Sequence, residues 1–145
     1  MYSFENSMGR LTFQVSVNIG LILKKRFRDA GYDLNQFEWS VISFLKRKKI
    51  CNQKDIACFL GTYKIKAKRI VDRLQEKNIV NKEKPAGKRS LRISLTSKGE
   101  KVFRELEKHA TETLLQAYGD ISKGSVTDCI ETLKLILENL EKAEK

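Results

Sequence analysis

Residues 60–92, LGTYKIKAKRIVDRLQEKNIVNKEKPAGKRSLR, decide how this chain is read. Eleven cations fall in that stretch: Lys64, Lys66, Lys68, Arg69, Arg73, Lys77, Lys82, Lys84, Lys88, Arg89 and Arg92. Only Asp72, Glu76 and Glu83 oppose them, so a net +8 of the chain's +11 sits in this one block. Its apolar residues carry the structural signal. Ala67, Ile70, Val71 and Leu74 recur at three-and-four spacing, which predicts a helix from about Tyr63 to Lys77 with one buried stripe. Asn78 tolerates the left-handed backbone that often follows a helix. Ile79 and Val80 begin a strand, and Pro85-Ala86-Gly87-Lys88 is a strong turn signal. Beyond the turn, Leu91, Ile93 and Leu95 point inward and alternate with Ser90, Arg92 and Ser94, the period of a second strand. Charge concentrated on one helix and one hairpin is the footprint of a surface fitted to a phosphate backbone.

Helices are expected on both sides of this block. Residues 10–29 contain Leu11, Phe13, Val15, Val17, Ile19, Leu21, Ile22, Leu23 and Phe27. The first half alternates as a strand would, but an unbroken run of about twenty residues exceeds a usual strand. Lys24-Lys25-Arg26 suits the last turns of a helix and Gly31 its stop, so a helix is expected. Asn35 with Glu38 makes a capping box for a second helix through Lys48, burying Trp39, Val41, Ile42, Phe44 and Leu45. Asn52 caps a short third helix using Ile56, Ala57, Phe59 and Leu60, with Gly61 ending it.

After the hairpin, Thr96 or Ser97 starts a fifth helix with Phe103, Leu106, Ala110, Leu114 and Ala117 on one stripe, up to Gly119. A last helix follows Gly124-Ser125 and carries Val126, Ile130, Leu133, Leu137 and Leu140 in 4-3-4-3 order. Cys129 and Ile136 widen that seam, which is of the kind that packs on another helix.

Bulk composition narrows the function. The chain has 145 residues, enough for one well-buried domain. A pI near 9.7 favours an acidic polymer as partner. No run approaches the ~20 apolar residues of a membrane span, and no basic-then-apolar leader is seen, so a cytoplasmic location without membrane contact is expected. Three cysteines, Cys51, Cys58 and Cys129, lack CxxC spacing, which argues against a disulfide framework or a zinc site. His109 is the only histidine. With no Gly-rich phosphate loop, HExxH or GxSxG, the chain reads as no enzyme and as needing no cofactor or metal.

Helix, short helix, helix and two-stranded hairpin is the order of a winged helix-turn-helix, mainly α with a two- or three-stranded antiparallel wing. In such a module the third helix of the group enters the major groove and the hairpin tip reaches an adjacent minor groove or backbone. The expected DNA contacts are Lys64, Lys66, Lys68, Arg69 and Arg73 on that helix, with Lys84, Lys88, Arg89 and Arg92 on the wing. Arg69 has the geometry to grip a guanine edge, whereas lysines suit phosphates. Any one of these lysines alone is equally well a solvated helix face. An RNA partner is a competing reading, but Tyr63 is the only aromatic in the basic block, a poor basis for stacking on single strands. A basic face for an acidic protein is a third.

The run Val71-Asp72-Arg73-Leu74-Gln75-Glu76-Lys77, then Asn78-Ile79-Val80, Lys88-Arg89 and Leu95-Thr96-Ser97-Lys98-Gly99, resembles the MarR family of bacterial transcriptional regulators. That family reads approximately V-D-R-L-x-x-K-G-L-V, then D-x-R in the wing and L-T-x-x-G after it. Asn78 stands here for the usual glycine, and Gly87 for the usual wing aspartate. The likeness of layout covers nearly the whole chain. It implies an obligate homodimer of flat triangular shape on pseudo-palindromic promoter DNA, its interface built from the first, fifth and last helices.

The corresponding division is residues 1–31 and 97–145 for dimerisation and 32–96 for the DNA-binding module, in one continuous fold. Symmetry would set the two recognition helices about 34 Å apart. The resemblance further implies a repressor released by a small aromatic or lipophilic effector. Phe13, Val17, Phe44, His109 and Tyr118 are the candidate lining residues, each more readily explained as plain core or interface packing, and His109 as a surface residue. Some relatives sense oxidants through cysteine, and Cys51, beside Lys48, Lys49 and Lys54, is the candidate for a lowered thiol pKa. Buried inert cysteine is the favoured reading. The remaining alternative is a non-specific nucleic-acid-binding or interaction protein.

Overall fold

The computed structural model describes all 145 residues, Met1–Lys145. Eight elements follow one another: α1 (Met8–Asp29), α2 (Gln36–Lys48), α3 (Gln53–Leu60), α4 (Lys64–Glu76), β1 (Val80–Glu83), β2 (Arg92–Leu95), α5 (Ser97–Tyr118) and α6 (Lys123–Ala143). They form two compact units, Met1–Thr113 and Leu114–Lys145. No helix is long and apolar enough to cross a membrane.

The first unit holds the core. Leu23 and Phe27 of α1, Val41, Ile42, Phe44 and Leu45 of α2, Ile56 of α3, and Ala67, Ile70, Val71 and Leu74 of α4 are all buried. Ile93 of β2 and Val102 and Leu106 of α5 join them. Trp39 is only half-buried; it bridges three helices, with ring centroids 5.3 Å from Phe27 and 5.4 Å from Phe103, the latter stacked.

Helix starts follow the sequence with two corrections, the simpler being that α6 begins at Lys123 under a Ser122 cap, so Gly124 and Ser125 lie inside its first turn rather than before it. The Asn35 side chain accepts from the Glu38 N–H at 2.9 Å, but Glu38 does not return the bond. Its carboxylate is buried instead and accepts from Lys77 Nζ at 2.7 Å, so the capping box is half made. The reciprocal box forms on α3, between Asn52 and Asp55. Phe59, expected in the core, is exposed and stacks on Phe44 at 4.3 Å.

The wing is a two-stranded antiparallel ribbon, with Val80 opposite Leu95 and Glu83 opposite Arg92. Ser90 and Leu91 precede the second strand rather than belonging to it. A bridge between Cys51 and Ile93 supplies a third-strand position through two backbone bonds, 3.1 and 2.8 Å. Asn78 takes φ 59°, as expected of the residue after this helix.

Thr96 and Gly99 lock the start of α5 onto the α4–β1 turn. Thr96 Oγ1 caps the helix by accepting from the Gly99 N–H at 3.0 Å and donates to the Asn78 carbonyl at 2.6 Å. A Cβ on Gly99 would run into the carbonyl oxygen of Ile79. Glycine is therefore required there by close backbone approach.

Two helices carry exposed apolar rows. Along α1 of the first unit, Leu11, Phe13, Val15, Val17 and Leu21 are exposed. In the second unit α6 buries no residue; Val126, Leu133 and Ile136 are half-buried and Ile130, Leu137 and Leu140 are exposed.

Candidate nucleic-acid interface

Helix α4 is amphipathic because its four apolar residues share one face, and burying them turns the rest outward. Lys64, Ile65, Lys66, Lys68, Arg69 and Arg73 are exposed. Tyr63, Ile65, Lys66, Arg69, Asp72, Arg73 and Glu76 line a shallow concavity of ≈ 770 Å³ along that face. Tyr63 occupies the cap position without a side-chain cap bond, leaving the first-turn amides free for an anion.

The cations on this face are held differently. Lys66 Nζ lies 4.1 Å from the centroid of the Phe37 ring, a cation–π contact. Lys68 pairs with Asp72 at 2.7 Å, one turn along α4, and Lys82 of β1 pairs with the same carboxylate. Hydrogen bonds from Lys68 and Lys82 hold the Asp72 carboxyl below the usual carboxylate range. Asp72 thereby ties the helix to the wing. Lys64, Arg69 and Arg73 make no ion pair within the chain.

In the wing, the Lys88 N–H bonds the Pro85 carbonyl at 3.1 Å and Gly87 takes φ 73°. This is the left-handed residue of a tight turn, where glycine costs least. Lys84, Lys88, Arg89 and Arg92 are exposed and none is ion-paired. Arg89 thus projects without an acid to hold it, as the glycine at 87 foreshadows.

The residues suggested for an effector fall on three helices, α1, α2 and α5. Phe13 and Val17 are exposed on α1, whereas Phe44 is buried at the back of a different cleft, ≈ 480 Å³, with Lys48, Ile50, Cys51, Asp55, Cys58 and Phe59. Half-buried His109 lies 3.8 Å from Glu112, which already accepts from Arg26 at 3.1 Å. Tyr118, in the second unit, is half-buried.

Cys51 is the buried, inert cysteine that the sequence favours over an activated thiol. Its thiol is buried, and burial, helped by the Asp55 carboxylate, pushes its pKa up to about 11. The neighbouring lysines do not make it a thiolate. Cys58 and Cys129 are exposed.

The structure adds to the expected cations three features of this face that the sequence reading did not place there. Ile65 and Tyr63 are 69% and 86% exposed and line the same concavity as Lys66, Arg69 and Arg73. Ile65 departs from the buried 67-70-71-74 stripe, which was the available signal, whereas Tyr63 keeps its spacing and is exposed because it precedes the helix as its cap. The Asp72–Lys82 link joins residues ten apart in different elements, and no local spacing marks it.

No protein-family model and no curated protein matches the sequence. Solved structures do match the fold. A MarR-family transcriptional regulator from Rhodococcus sp. RHA1 superimposes with TM-score 0.83 at 19% identity, over 94% of this chain and 96% of that one. BpsR of Bordetella bronchiseptica, described as regulated in its DNA binding by 6-hydroxynicotinic acid, gives TM-score 0.81 at 17% identity over the same shares. CouR from Rhodococcus jostii RHA1, bound to p-coumaroyl-CoA, gives 0.81 at 19% over 94% and 95%. At these identities the likeness is one of fold: the chain has the winged-helix fold of MarR-type regulators.

Proposed function

We propose that this chain, built on the MarR-type fold, is a homodimeric transcriptional regulator that binds pseudo-palindromic duplex DNA, acts as a repressor, and is released by a small aromatic or lipophilic effector. It works in the cytoplasm and catalyses no reaction. One observation carries the reading: unpaired cations on the exposed face of α4 and on the wing, with Asp72 tying the two elements together.

The recognition contacts are Lys64, Lys66, Lys68, Arg69 and Arg73, and the wing contacts are Lys84, Lys88, Arg89 and Arg92. Phosphate contacts give affinity and register, while base-edge contacts give sequence choice. The exposed apolar rows of α1 and α6 support a second copy as partner. BpsR and CouR, which share the fold, support an aromatic acid or its thioester as the effector class.

A gel shift with duplex DNA at two salt concentrations tests the reading. If six to ten phosphates are contacted, affinity falls roughly 10³–10⁵-fold between 50 and 200 mM salt. Absence of duplex binding at low salt would sink the proposal.

A further inference from the structure

Ile65 sits where an apolar side chain has no structural use. It projects from the cationic face of α4, 69% exposed, in a row with Arg69 and Arg73 at four-residue spacing. Side chains four apart stand one above the other on a helix. Lys66 beside it is drawn onto the Phe37 ring, and Lys68 onto Asp72, so neither covers Ile65. Tyr63, 86% exposed, flanks it on the same concave surface.

We infer that Ile65 is a specificity-determining residue that packs on the C5 methyl of a thymine in the major groove, one helical turn from a guanine held by Arg69. The inference rests on the DNA-binding reading above. A phosphate offers an isoleucine nothing, whereas the thymine methyl is the apolar feature of a major-groove edge. Arg69 makes no ion pair, which leaves its planar fork available for the O6 and N7 acceptors of guanine. Four residues of helix rise about 6 Å, or roughly two base-pair steps of 3.4 Å. Each half-site therefore carries a thymine and a guanine about two base pairs apart.

The test begins with selection of duplexes from a random pool by the full chain. Each thymine of the selected half-site is then replaced singly by deoxyuridine, which removes only the methyl, and affinity is measured by fluorescence anisotropy. One thymine per half-site is expected at which this replacement weakens binding about fourfold, the value of one buried carbon. With Ile65→Ala the same replacement should have no further effect, and Arg69→Ala should relax the choice of guanine two pairs away. Ile65 contributes nothing to the core, so the variant keeps its fold. The inference is overturned if no selected thymine is methyl-dependent, or if the deoxyuridine penalty persists undiminished in Ile65→Ala. Binding to no duplex at all would instead remove the DNA reading on which the inference stands.

Discussion

At residue scale, the cations of the two elements differ in what they do. An arginine on the exposed face of a recognition helix reads a base edge, so Arg69→Ala should cost about 1–3 kcal/mol on the preferred site and little on others. A lysine at a wing tip neutralises phosphate, so Lys88→Ala should weaken binding uniformly and reduce the salt slope by about 1. Titrations of specific and scrambled duplexes at several salt concentrations separate the two. A specificity change in Lys88→Ala, or a uniform loss in Arg69→Ala, would reverse the assignment.

Cys51 is decided by burial rather than by its neighbours in sequence. The lysines at 48, 49 and 54 suggest an activated thiol, but desolvation and Asp55 outweigh them. With a pKa of about 11, roughly one thiol in a thousand is ionised at pH 8. Alkylation followed by mass spectrometry should modify exposed Cys58 well before Cys51, and rapid labelling of Cys51 in the folded protein would contradict its burial.

At element scale, Asp72 and Gly99 position the wing. Asp72 holds its proton less readily folded than unfolded, because Lys68 and Lys82 favour its charged form. The stability it adds is therefore complete above its unfolded value, about 3.9, and is lost as pH falls through the lower folded value. Its carboxyl carbon, followed by NMR, should titrate below that reference, and Asp72→Asn should abolish the acid-side loss while loosening β1 on α4. A carboxyl titrating at or above the reference would remove the link. Gly99→Ala should cost about 1–3 kcal/mol by forcing α5 away from Ile79, read as a fall in the denaturant midpoint. An unchanged midpoint would show that the turn yields without strain.

These elements also mark what a sequence can reveal. The α4 stripe at 67, 70, 71 and 74 was legible because its period repeats within one helix. So was Gly87, since a tight turn announces itself in four consecutive residues. Glu38 was misread as a cap because its true partner, Lys77, lies 39 residues away and a local box looks complete without it. Phe59 was assigned to the core on hydrophobicity alone, although it lies only half a turn from Gly61 at the rim of α3. The site followed the same rule: its cations are a density that can be counted and Ile65 stands off the apolar stripe, whereas the Asp72 tether exists only once α4 is packed against β1.

At the scale of the whole molecule, the proposal turns on apolar surface that one chain leaves open. Ile130, Leu137 and Leu140 of α6 lie exposed at seven- and three-residue spacing, with half-buried Leu133 between them, and α1 exposes a row of its own. A seam of this kind in water is stable only when covered. If a second copy covers it, folding and association are linked, so the wild-type melting temperature should rise with protein concentration. Leu137→Glu combined with Leu140→Glu should give a monomer by light scattering. That monomer should lose the dependence of binding on half-site spacing, because two recognition helices can no longer be set about 34 Å apart. Its base preference within one half-site should survive, since the α4 surface lies in the first unit and the substituted residues in the second. A wild-type chain that is monomeric at micromolar concentration, yet still requires both half-sites, would exclude dimerisation as the source of that requirement.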